Sequence, residues 1–143
     1  MTALSSETIH ASSVSIGGRA VLIAGRPGSG KSDLALRLID RGAVLISDDY
    51  TILARAGDSL LASPPETIRG RIEIRGVGLG EMPCESLVPV ALMVTLDDPV
   101  PRLPEPGQTR LLAEIPIPLF ALSAYEASAP IKVEQILKAL MDA

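Results

Sequence analysis

Two periods of hydrophobicity alternate along this chain, and the changes of period mark out its elements. Val14-Ser15-Ile16 alternates, Gly17-Gly18 supplies a turn, and Ala20-Val21-Leu22-Ile23-Ala24 is uninterrupted apolar sequence. This predicts a β-hairpin whose second strand is buried. From Asp33 to Arg41 the spacing becomes helical. Leu34, Ala35, Leu38 and Ile39 share one face, and Asp33 and Arg37 stand i, i+4 on another. Gly42 lies where a C-terminal cap belongs. Ala43 to Ser47 reads as a second buried strand with Asp48-Asp49 at its carboxyl end.

The period of two then returns. Thr51–Ala54 and Ser59–Ala62, separated by Arg55-Ala56-Gly57-Asp58, predict another hairpin, and Pro64-Pro65 breaks regular structure. Ile72 and Ile74 alternate with Arg71, Glu73 and Arg75, which puts the three charges on one strand face. Gly70, Gly76, Gly78 and Gly80 flank and follow it, so a bent, closely approached backbone is expected. Val88 to Leu96 is a third strong strand. Asp97 to Gly107 holds Pro99, Pro101, Pro104 and Pro106 and is expected to be a loop. Ile115 to Leu119 is expected at a sheet edge, because Pro116 and Pro118 cannot donate to a ladder. A helix from about Pro130 to Met141 closes the chain. Thr2 to Ala11 is polar and is expected to be partly disordered.

Composition narrows the class. The 143 residues suit one domain, 1–143, and 47% of them are hydrophobic, enough for a sizeable core. With one Phe, two Tyr and no Trp that core is aliphatic. A net charge of −4 argues against a general nucleic-acid surface. The single Cys84 can form neither an internal disulfide nor a zinc cluster and reads as a free thiol in a reducing compartment. Met1 to Ser6 lacks the pattern of a signal peptide, and no apolar stretch approaches the length of a membrane span. A soluble cytoplasmic protein is expected.

The chemistry is concentrated between the first buried strand and the first helix. Gly25-Arg26-Pro27-Gly28-Ser29-Gly30-Lys31-Ser32 reads G-x-x-x-x-G-K-S, the Walker A pattern. Strand, glycine loop and helix together turn successive backbone N–H groups toward a phosphate. Lys31 would reach the β- and γ-phosphates, and the Ser32 hydroxyl would bind Mg²⁺. Asp48 and Asp49, at the end of a neighbouring strand, are placed to hold metal or to take a proton from an acceptor hydroxyl. By themselves, Glu73 between two arginines reads as a salt-bridged surface ladder, and His10 and Arg102 read as exposed polar residues.

Taken together, these motifs resemble the C-terminal catalytic domain of HPr kinase/phosphorylase, the bacterial enzyme acting on a serine of the phosphocarrier protein HPr. The resemblance rests on the strand leading into the P-loop, on Asp40-Arg41-Gly42 ending the helix, on Asp48-Asp49, and on Glu73-Ile74-Arg75-Gly76-Val77-Gly78, which is similar to the family's E-I-R-G-L-G signature. It runs from about His10 to Arg102 and more weakly to the end. It implies a mixed α/β P-loop domain, a short form without the family's N-terminal domain. It implies ATP and Mg²⁺ as cofactors, HPr or a nitrogen-related paralogue as partner, and, because the family forms hexamers, a homo-oligomer. By position, Gly25 to Ser32 would bind the donor; Ser32, Glu73 and Asp48 would serve the metal; Asp49 would be the general base; and Lys31, His10 and Arg102 would support the reacting phosphate. Ile115-Pro116-Ile117-Pro118-Leu119-Phe120 stands where the family carries arginines tied to dephosphorylation, so the kinase direction is implied and the phosphorylase direction is not. Two rivals remain in view: a P-loop kinase of a small metabolite, which would need a lid absent after Asp49, and an ATP-sensing regulatory module without catalysis.

Overall fold

The computed structural model describes residues 6–142. The element order is β1 (Ser6–Ile9), β2 (Ala11–Ile16), β3 (Arg19–Ala24), α1 (Lys31–Asp40), β4 (Val44–Ser47), β5 (Thr51–Ala56), β6 (Ser59–Ser63), β7 (Arg71–Ile74), β8 (Gly78–Glu81), β9 (Val88–Thr95), β10 (Thr109–Leu112), β11 (Ile115–Ala121) and α2 (Ala129–Asp142), with a short 3₁₀ turn at Glu66–Ile68. The main sheet runs β1-β5-β6-β9-β3-β2-β4, with β11 also paired to β9 and β10 to β11. It is mixed: β3 and β9 are parallel, and β2 is antiparallel to both β3 and β4.

The continuous apolar run of β3 is explained by what lies on its two faces. Val21 and Ile23 pack with Leu34, Ala35 and Leu38 of α1, with Leu92 and Val94 of β9, and with Val133 and Leu137 of α2. Ala20 and Leu22 pack on the other side with Leu53, Leu60 and Ala62 of the β5–β6 hairpin and with Leu112 and Ile117 of β10–β11. A strand covered on both faces has no position for a polar residue. Leu22 is fully buried within this second layer. Leu22→Ala is accordingly expected to lower unfolding free energy by about 2–5 kcal/mol, read as a lower urea midpoint with an unchanged slope.

Both predicted hairpins form, β2–β3 and β5–β6. Helix α1 ends as anticipated: Gly42 N–H donates to Ile39 O and Ala43 N–H to Leu38 O, each at 3.0 Å, the paired closure that a left-handed glycine permits. The helix begins two residues earlier than expected, at Lys31. The loop after β9 and the C-terminal helix lie where the pattern put them.

Three expectations change. Within the polar N-terminal segment, Ser6–Ile9 is a strand, antiparallel to β5 from Ser6↔Ala54 to Ile9↔Thr51; Thr2–Ser5 lie outside the described residues. An outer strand is held by its amides, so exposed side chains do not betray it. The glycines after β7 close a further hairpin, β7–β8, in a separate two-stranded sheet. Finally, β11 is not an edge. Leu119 N–H donates to Gln108 O on the β10 side, and Leu122 N–H to Thr95 O on the β9 side. By alternation the nitrogens of Pro116 and Pro118 point toward β9, ahead of the first β9 pair at Leu119↔Met93. Neither proline interrupts a ladder. No described helix is long and apolar enough to cross a membrane, and Cys84 is a half-buried free thiol.

Candidate active site

The sheet topology gathers residues distant in sequence onto one edge. Strands β3, β4 and β9 run the same way, so their carboxyl ends share that edge. Because β2 runs against β3 and β4, its amino end lies there as well, in the register Ala11↔Ala24 and Ser13↔Ser47. The P-loop follows β3, Asp48-Asp49 follows β4, Asp97 follows β9, and His10 and Ser12 open β2. Crevices at the carboxyl ends of such strands are the usual ligand sites of α/β sheets.

A cleft of about 670 Å³ occupies this edge, lined by Gly28, Gly30, Lys31 and Ser32 of the P-loop, by Asp48 and Asp49, and by residues of α1, β7 and the segment before α2. Gly30 serves as N-cap of α1 with φ 100°. A Cβ there would sit 2.9 Å from Ala124 Cβ in a backbone conformation that disfavours side chains, so the loop tolerates only glycine at this turn. Lys31 is 5% exposed, and its Nζ donates to Gly25 O at 2.8 Å and Arg26 O at 3.2 Å, holding the ammonium inside the loop. Arg26 N–H donates to both oxygens of Asp97, at 3.1 and 2.9 Å, which ties the loop to the end of β9.

The paired aspartates have different surroundings. Asp48 is buried and accepts from Ser32 Oγ at 2.5 Å, Ser12 Oγ at 3.0 Å and Glu73 N–H at 2.9 Å. Its carboxylate therefore cross-links the start of α1, β2 and β7. Asp49 is left-handed, with φ 68°, a conformation Asp adopts more readily than most residues. Its side chain is 50% exposed, with Oδ1 2.7 Å from His10 Nε2 and 3.8 Å from Lys31 Nζ. The His10 ring stacks on Tyr50, with centroids 5.0 Å apart. Asp49 can thus exchange a proton with a molecule in the cleft, whereas Asp48 already commits three of its roughly four lone-pair sites to the scaffold.

Of the residues singled out from sequence, the P-loop, Lys31, Ser32, Asp48, Asp49, Glu73 and His10 come together here. Glu73 engages Asp48 through its backbone N–H and is one of the residues lining the cleft. Arg102 is not brought in: it is exposed on the loop after β9, lines no part of the cleft and pairs with no described residue. The salt-bridged ladder expected of Arg71, Glu73 and Arg75 is not found: none of the three has an ion pair among the described residues. Sequence reasoning missed Asp97, Ser12, Tyr50 and Tyr125. Asp97 was legible, as an acid ending the strongest apolar strand; the other three carry no local signal.

Among the described residues no group of three or more His, Cys, Asp or Glu forms a metal cage. A hydroxyl and one carboxylate side by side, as at Ser32 and Asp48, nonetheless fit Mg²⁺, which keeps waters and takes its remaining ligands from substrate phosphates.

Known proteins resemble this chain in sequence and in fold. The family profile described as HPr Serine kinase C-terminal domain matches residues 2–84. The chain is similar to the HPr kinase/phosphorylase of Chloroherpeton thalassium, 46% identical over 71 residues, which are 49% of this chain and 21% of that protein. It is also similar to that of Caldanaerobacter subterraneus subsp. tengcongensis, 47% identical over 73 residues, 50% of this chain and 24% of that protein. The match thus spans less than a quarter of each of these relatives. Among solved structures, the Hpr(Ser) kinase/phosphatase from Coxiella burnetii superposes with a TM-score of 0.81 at 29% identity, covering 93% of this chain and 89% of that one.

Proposed function

This chain belongs to the HPr serine kinase C-terminal domain family, and on that basis we propose that it transfers the γ-phosphoryl group of ATP to a serine of a phosphocarrier protein, HPr or a nitrogen-related paralogue. The observation that carries the proposal is the meeting of Lys31, the Ser32–Asp48 pair and the Asp49–His10 pair on one sheet edge. The P-loop amides and Lys31 hold the donor phosphates. Mg²⁺, held through Ser32 and Asp48 with Glu73 at hand, would neutralise phosphate charge. Asp49 accepts the seryl proton as the serine oxygen bonds to the γ-phosphorus and the bond to the departing ADP oxygen breaks. His10, hydrogen-bonded to Asp49 and braced by Tyr50, orients the carboxylate. Catalysis of this kind is positioning and charge stabilisation. We place no catalytic role on Arg102. We propose the kinase direction and not the phosphorylase direction, because Ile115–Phe120 lies within β11 with Ile117 buried and supplies no cation.

The test is incubation with γ-labelled ATP, Mg²⁺ and purified HPr, followed by phosphate. Acid-stable label on an HPr serine that survives added phosphate is expected. ATP binding without label on HPr or its paralogue would point to the sensing module, and label on a metabolite to a small-molecule kinase.

A further inference from the structure

The cleft has more lining residues than phosphoryl transfer uses. Besides Lys31, Ser32, Asp48 and Asp49, it is lined by Asp33, Leu36, Ile74, Arg75, Ala124 and Tyr125. Tyr125 is the one aromatic ring in this lining. It is 81% exposed, yet it is anchored at both ends. Its hydroxyl donates to Gly28 O of the P-loop at 2.9 Å. Its backbone is held by Arg37, which donates to Ala124 O and, at 3.2 Å, to Glu126 O. Glu126 is fixed in turn by Lys132 at 2.8 Å and by Ala129 N–H at 3.0 Å. A solvated surface tyrosine needs no such fixing; a rigid plate with open faces is what a planar ligand requires, since little freedom is lost on stacking.

The P-loop sets the direction of that ligand. With the terminal phosphate between Lys31 and Asp49, the inner phosphates would follow the loop amides past Gly28, the residue whose carbonyl holds the Tyr125 hydroxyl, which puts the ring beside the nucleotide's path. We propose that Tyr125 is the stacking wall for the purine ring of the donor nucleotide, and so the residue that makes the cleft prefer a nucleoside triphosphate to bare polyphosphate. This rests on the reading of the cleft as a triphosphate site. Base–aromatic stacking is worth roughly tenfold or more in affinity.

The experiment is calorimetric titration of ATP and of inorganic tripolyphosphate, each with Mg²⁺, into the wild type, Tyr125→Phe and Tyr125→Ala. The readout is the ratio of the two affinities, which is blind to any general loosening of the P-loop. The wild type is expected to favour ATP by roughly tenfold. Tyr125→Phe should keep most of that preference, and Tyr125→Ala should remove it while tripolyphosphate binding persists. Equal weakening of both ligands in Tyr125→Ala would show a prop acting through the hydroxyl and overturn the proposal, as would an unchanged ratio. Wild-type protein that binds neither ligand would overturn the triphosphate reading and this proposal together.

Discussion

Asp49→Asn is expected to slow phosphoryl transfer by roughly 10²–10⁴-fold while ATP affinity stays within a few-fold of wild type. The substitution is chosen to remove proton-accepting capacity and little else. Asn matches Asp in shape and tolerates the left-handed backbone at φ 68°, and the main-chain hydrogen bond from Asp49 N–H to Ser12 Oγ is untouched. An amide oxygen can still accept from His10. The missing function is the one transfer needs, a carboxylate facing the cleft and able to take a proton. Single-turnover labelling gives the chemical rate and equilibrium titration gives the affinity. Transfer within tenfold of wild type would move the base elsewhere. Asp48→Asn is a poor substitute for this test, since Asp48 already accepts from Ser12, Ser32 and Glu73 and its loss would disturb three elements at once.

Lys31→Ala is expected to lose both binding and transfer, with transfer down by roughly 10²–10³-fold or more. The Lys31 ammonium is buried inside the loop, sits 3.8 Å from Asp49 Oδ1, and is shielded from bulk water. A fixed charge in a partly desolvated site acts on phosphate more strongly than a solvated one. In this respect the two variants differ: Asp49→Asn should bind ATP and fail to transfer, and Lys31→Ala should fail at both. Circular dichroism and urea midpoints near wild type would confirm that the fold is intact. A Lys31→Ala protein that bound ATP and labelled HPr at a tenth of the wild-type rate would sink the P-loop account of this cleft.

The legibility of this protein from sequence divides along the distance between interacting residues. The P-loop, the β2–β3 and β5–β6 hairpins, the Gly42 helix end and the apolar faces of α1 and α2 depend on neighbours a few positions apart, and a one-dimensional pattern carries that information. Strand β1 and the placement of β11 did not follow from pattern. One is an outer strand held through its amides, and the other carries prolines whose orientation depends on which neighbour each face meets.

The site divides in the same way. Sequence alone determined that a Walker A pattern follows β3, that an acidic pair ends β4, and which residue types were available for metal and proton chemistry. Tertiary structure decided which aspartate is buried and which faces the cleft, because Ser12, Ser32 and Glu73 converge on Asp48 only after three elements pack. It decided that His10 meets Asp49 across 39 positions, that Asp97 grips the P-loop across 71, and that Tyr125 reaches Gly28 across 97. It also left Arg102 outside. These contacts follow from strand order and register, which are set by how whole faces pack against each other and are not encoded in any local run of residues.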